Sequence, residues 1–212
     1  MNRNWLPATA VLAASFAVGG VPFSNIASTR LAGADLRLVG SGTVSGSALF
    51  KVAGFWPLVV VGPLEVGKGA LGPLLAGSGR PVLAAAAGTA AIAGHDYSPF
   101  LRGAGGRGLA PALGAMLVLA PEGTGVLLAG LIVGRCVRQT GLGYFLAYLA
   151  LGPILYRTRG RAGLLTAFAV IGPLLIKRLT GNQPPARRRP GAYLRRFVYD
   201  RDQPEAADDR SR

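Results

Sequence analysis

Two short polar stretches hold most of the side chains that could do chemistry. The first, GSGTVSGSALFK at 40–51, sets the hydroxyls of Ser41, Thr43 and Ser47 beside Gly40 and Gly42 and ends on Lys51. The second, GAGGRG at 103–108, places Gly105, Gly106 and Gly108 around Arg107. Successive glycines let several backbone N–H groups turn toward one anion, and an apolar helix starting after Gly108 would aim its dipole the same way. Arg107 would add a fixed fork of donors. Ser47 and Lys51 are four apart and share a face if a helix begins there. Each stretch alone has a plainer reading, in which Gly and Ser permit turns and close helix packing. Two such loops on one face favour phosphate binding.

Other chemistries are poorly served. Before residue 200 the only carboxylates are Asp35, Glu65, Asp96 and Glu122, which fall in separate segments and form no evident dyad. His95 is the single histidine and Cys136 the single cysteine, which excludes a His-rich or thiolate metal site and an internal disulfide. No Gly-x-Ser-x-Gly elbow occurs. Residues 103–108 do spell G-x-G-x-x-G, but they follow HDYSPFLR instead of a strand, which argues against a dinucleotide site. Glu65 and Lys68 lie in an apolar run, where their charges should face protein or water and can share a helix face. Lys68 then either reaches a substrate phosphate or forms a structural ion pair. His95 either accepts a proton from a substrate hydroxyl or orders its loop by hydrogen bonding.

The elements that must position these residues are apolar helices. Half of the 212 residues are hydrophobic, 32 are glycine and only nine are acidic, a composition of small polytopic membrane proteins. The net charge of +14 sits in short stretches between apolar runs and in a C-terminal tail, without interleaved aromatics, so it reads as membrane-flanking arginine and predicts no nucleic-acid partner. Apolar runs at 6–26, 52–75, 81–94, 109–133 (broken by PEGTG at 121–125 into a hairpin), 142–155 and 162–176 predict an all-α bundle of about seven spans, five at the least. The first of these reads as a span and not as a cleaved secretory signal. Several runs are shorter than the ~20 residues of a perpendicular helix and require tilt or burial within the bundle. Loop charge places the N-terminus outside and the C-terminus in the cytoplasm, with both Gly-rich loops on the cytoplasmic face; the YRTRGR stretch at 156–161 and Arg3 run against that rule. The transmembrane domain is expected over 1–181, and a mobile tail, first basic and then acidic, over 182–212.

The order GSG…LFK, LEVGKG at 64–69 and GHDYSPFL…GGRG at 94–108 closely resembles the bacterial acyl-phosphate:glycerol-3-phosphate acyltransferases, the PlsY family. The first signature falls on Gly40, Ser41, Gly42, Thr43, Ser47 and Lys51, the second on Glu65, Lys68 and Gly69. The third falls on Gly94, His95, Tyr97, Phe100, Gly105, Gly106, Arg107 and Gly108. The chain departs from the family in having Thr43 for an asparagine, Ser47-Ala48 for a Thr-Asn pair, Ala104 for a lysine, and Lys51 and Arg107 with their cation types exchanged. In the last signature Arg178, Leu179 and Gly181 correspond, while Gly172 and Leu175 stand in the histidine and asparagine positions and no glutamate follows. The resemblance implies transfer of a fatty acyl group from acyl phosphate to the 1-hydroxyl of glycerol 3-phosphate, giving lysophosphatidic acid in phospholipid biosynthesis. No metal or other cofactor is implied. It further implies a multi-pass protein of the bacterial inner membrane, with the bilayer and a partner enzyme supplying acyl phosphate as its surroundings. His95, Lys68 and Ser41 are the implied catalytic residues; the first-loop residues, Lys68, Gly105, Gly106, Arg107, Gly108 and Arg178 are the implied phosphate ligands. The alternatives are a non-catalytic paralogue that binds phospholipid or glycerol phosphate, and a small transporter with Glu65 and Lys68 as pathway charges.

Overall fold

The computed structural model describes residues 6–183 and 190–200, and among them there is no strand. Nine α-helices follow one another among the described residues: α1 (Ala8–Gly20), α2 (Phe23–Ala32), α3 (Gly46–Ala53), α4 (Phe55–Ala76), α5 (Pro81–Asp96), α6 (Leu109–Leu119), α7 (Pro121–Cys136), α8 (Thr140–Thr180) and α9 (Pro190–Tyr199). Among the described residues three stretches, Ala8–Ala32, Phe55–Ala76 and Thr140–Thr180, are long and apolar enough to cross a membrane. Trp56, Val60, Leu165 and Phe168 are mostly exposed, as they would be on a face solvated by lipid. The fold is thus an all-helical, integral-membrane bundle.

Local sequence sets where the helices break. Pro22, which lacks an N–H, interrupts the expected first span and starts α2. Ser45 caps α3 by accepting from Ala48 N–H at 3.3 Å. Gly54, at φ 84°, divides α3 from α4, so the run expected from residue 52 begins at Phe55. The PEGTG stretch, expected as a turn, is the first turn of α7: Pro121 occupies the position where a missing N–H costs nothing, and the break narrows to Ala120. Within α8, Gly160 has φ 62° and ψ −145°, and the chain reverses there. The side chain of Leu164 would lie 3.5 Å from a Cβ at Gly152, a contact only two antiparallel arms can make. The loop expected over 156–161 is therefore a single residue.

Two of the helix crossings that are too close for a Cβ fix the elements around the site. Gly94 and Gly19 bring α5 and α1 backbone to backbone, against Phe16 and Ala91, and Gly69 and Gly114 do the same for α4 and α6 at Pro111 and Val66. The main core lies between α5, α6, α7 and both arms of α8, around Ile92, Met116, Leu127, Leu151, Val170 and Leu174. A smaller core under α3 joins Leu36, Val44, Leu49, Val61 and Leu101. The tail predicted from residue 182 contributes α9, which docks on α8; residues 184–189, which hold the ARRRP cluster except Pro190, and the acidic end after Asp200 lie outside the described residues, as does Arg3.

Candidate active site

The first polar loop and the glycine-rich loop meet on one side of a cleft of about 900 Å³. Along the first loop, Asp35 caps the short turn Leu36–Leu38 by accepting from Arg37 N–H at 3.0 Å, and the Arg37 guanidinium holds its carboxyl below the usual carboxylate range. Gly40, Ser41, Thr43, Ser47 and Lys51 all line the cleft, together with His95 and Arg107. A helix does begin at Gly46, so Ser47 and Lys51 share its cleft face. The hydroxyls pair along the loop, Ser41 with Thr43 and Ser45 with Ser47, each at 3.0 Å.

Beneath the cleft, α4 and α5 hold a buried charge cluster. The Lys68 ammonium lies 2.6 Å from Glu65 Oε2, and side-chain exposures of 1% and 4% make this a desolvated pair. Lys68 also donates to Val21 O at 2.9 Å. The other carboxylate oxygen accepts from Ser24 N–H and Ser24 O–H at 3.1 and 2.9 Å. His95 Nδ1 stands 3.3 Å from Glu65 Oε2. Its Nε2 faces Gly106 so closely that a Cβ there would overlap it. The imidazole is wedged between a carboxylate and the glycine-rich loop. Glu65 and Lys68 form a buried, mutually compensating pair.

Several predicted ligands have other partners. Lys68 does not line the cleft. Gly105 N–H donates to Asn182 Oδ1 at 3.2 Å, and Gly106 N–H to His95 O at 3.1 Å, so these two amides point inward. Gly42 N–H donates to Val39 O at 3.0 Å. Gly108, at φ 68°, turns the chain into α6 and packs on Ile92 and Leu174. Arg178 is buried away from the cleft, donating to Phe197 O, Val198 O and Gly141 O. An anion in the cleft would therefore meet side-chain cations and hydroxyls more than a nest of glycine amides.

Residues outside the predicted ligand set complete the arrangement. Asn182 ties the two loops together: its Nδ2 donates to Gly42 O and Gly105 O at 2.7 and 2.8 Å, and its Oδ1 accepts from Lys177 Nζ at 2.7 Å. Arg135 adds a third cation to the cleft lining, and Tyr199 and Asp200 of the C-terminal segment line it as well. Arg107 donates to Lys177 O at 3.2 Å and faces Asp200 Oδ1 at 3.2 Å. The only signal for Asn182 was its place just after the last predicted span; Arg135 carried a loop-charge signal.

Comparison with known proteins agrees with this geometry. The family model for glycerol-3-phosphate acyltransferase matches residues 9–183. The chain is 31% identical over 185 residues to the glycerol-3-phosphate acyltransferase of Roseobacter denitrificans, across 86% of this chain and 92% of that one. It is 35% identical over 169 residues to the enzyme of that name from Synechococcus sp. (strain CC9902), across 78% and 84%. Among solved structures it is similar to PlsY, an integral membrane glycerol 3-phosphate acyltransferase, in its glycerol 3-phosphate form, with a TM-score of 0.71, 25% identity, and coverage of 84% of this chain and 94% of that chain. The lysophosphatidic acid form matches in fold with a TM-score of 0.66.

Proposed function

This chain belongs to the glycerol-3-phosphate acyltransferase family, and we propose that it joins a fatty acyl group from an acyl phosphate to the 1-hydroxyl of glycerol 3-phosphate. It is a multi-pass membrane acyltransferase of phospholipid synthesis. The observation that carries the donor and site assignments is the convergence of Lys51, Arg107 and Arg135 on one cleft above the Glu65–Lys68–His95 cluster. An acyl phosphate is already activated, so the protein has chiefly to hold two anions together and neutralise charge on the departing phosphate.

In this reading Lys51, Arg107 and the hydroxyls of Ser41, Thr43 and Ser47 hold the substrate phosphates. The 1-hydroxyl oxygen attacks the acyl carbon, the carbon–oxygen bond to phosphate breaks, and the hydroxyl proton leaves on the released phosphate. His95 orders the glycine-rich loop, since one ring nitrogen faces Glu65 and the other abuts Gly106. Lys68 holds Glu65 in place and is a positioning residue.

The orientation has the same support. Arg135 closes α7 at the cleft, while Glu122 and Arg159 pair at 2.6 Å at the other end of that helix, about 20 Å away by helical rise. With the cleft cytoplasmic, the N-terminus lies outside, the segment from 182 is a cytoplasmic tail, and the membrane is the bacterial inner one. A partner enzyme supplies the acyl phosphate.

The test is reconstitution of the purified protein in liposomes with palmitoyl phosphate and radiolabelled glycerol 3-phosphate. Lysophosphatidic acid and inorganic phosphate should appear one for one. Product formed only from acyl thioesters would overturn the donor assignment, and phosphate binding without product would mark a non-catalytic paralogue.

A further inference from the structure

We propose that the C-terminal segment carries an intramolecular competitor for the phosphate substrate, with the Asp200 carboxylate occupying the position on Arg107 that the phosphate of glycerol 3-phosphate takes when it binds. The proposal rests on the placement of the phosphate site given above. Asp200 Oδ1 faces Arg107 Nε at 3.2 Å, with the two side chains 20% and 10% exposed. Both residues line the cleft that also holds Lys51 and Arg135. A guanidinium takes carboxylate and phosphate through the same fork of donors, so one anion can stand in for the other.

The segment is built to deliver that carboxylate. Residues 190–200 lie outside the 9–183 region that matches the family model. Arg178 clamps the end of α9 through Phe197 O and Val198 O at 2.9 and 3.2 Å, and Phe197 packs edge-on against Phe145 at 5.4 Å. Arg196, itself buried, donates back to Gln183 O at 2.9 Å. At the end of the helix Asp200 adopts φ 54°, with its N–H bonded to Arg196 O at 2.9 Å, and this left-handed turn points the last side chain into the cleft. Tethering keeps the carboxylate at high effective concentration, while its partial exposure lets a doubly charged phosphate displace it without moving α9.

The experiment compares full-length wild type with Asp200→Asn, Asp200→Ser and Asp200→Glu in the liposome assay. Removal of the charge should lower KM for glycerol 3-phosphate about two- to fivefold, the range of a partly exposed ion pair, with kcat as in wild type. Asp200→Glu should keep KM near the wild-type value. A KM that rises in both neutral variants would make Asp200 a positioning residue for Arg107 and overturn the proposal, as would an unchanged KM. If wild type makes no lysophosphatidic acid, the functional reading fails separately. The competitor is then read from stabilisation of the purified protein by inorganic phosphate: a lower half-saturating concentration in Asp200→Asn supports it, and an equal or higher one overturns it.

Discussion

Glu65→Gln removes a single charge from a cluster that has almost no access to water. The Glu65 and Lys68 side chains are 4% and 1% exposed, and after substitution the ammonium retains the Val21 carbonyl at 2.9 Å but loses its ion-pair partner. Leaving one partner of a buried pair uncompensated costs about 3–5 kcal/mol. For a chain of this size that corresponds to a melting shift of roughly 6–20 °C. The assay is thermal unfolding in detergent micelles, followed by intrinsic tryptophan fluorescence. The double variant Glu65→Leu/Lys68→Met should recover most of the lost stability, because apolar replacement of a whole buried pair is close to neutral. It should not recover activity, since His95 Nδ1 has lost its carboxylate in both proteins. If Glu65→Gln melts within about 2 °C of wild type, or the double variant is less stable than the single one, desolvation does not govern this cluster and the reasoning is wrong.

Lys51→Ala removes a charge-assisted contact to substrate and should raise KM for glycerol 3-phosphate about ten- to hundredfold, with the melting temperature unchanged, as read in parallel kinetic and unfolding assays. Asn182→Ala strips partners from Gly42 O, Gly105 O, Gly105 N–H and Lys177 Nζ; it should destabilise the protein by about 1–3 kcal/mol per group left unpaired and weaken substrate binding, whereas Asn182→Asp should keep the contacts from Lys177 and the Gly105 amide and lose the two that Nδ2 donates. Gly106→Ala would press a Cβ on His95 Nε2 and Val44 O. Its activity should collapse while helical content, followed by circular dichroism, stays intact.

What the sequence disclosed was largely local. Apolar runs marked the helices, the three-residue spacing of Glu65 and Lys68 marked a shared buried face, and the four-residue spacing of Ser47 and Lys51 marked one face of α3. These depend on helical periodicity alone. Single-residue breaks were harder to place: a loop was expected where Gly160 reverses the chain by itself, and a turn where Pro121 opens α7. Partners far apart in sequence were not legible. Nothing near Ser24 indicates that it would bond a carboxylate 41 positions later, and nothing in the tail indicates that Arg178 would clamp α9 instead of reaching substrate. The glycine-rich loop shows the limit of composition. Its glycines were read as anion donors, yet two of its amides are consumed in holding the loop to Asn182 and His95.

The glycine crossings bear on how a turnover is divided in time. Where α1 meets α5 and α4 meets α6, backbone touches backbone, and neither helix can slide or roll without a carbonyl striking a Cα. The groups carried by α4 and α5 are therefore aligned when the chain folds and stay aligned through the cycle. Helix α3 has no such lock: its one close glycine contact, Gly46, is against the pliable end of Leu58. Travel during substrate entry and product escape falls to that short helix and the loop before it. A thinner or stiffer bilayer should accordingly slow exchange at the mouth well before it disturbs bond making below.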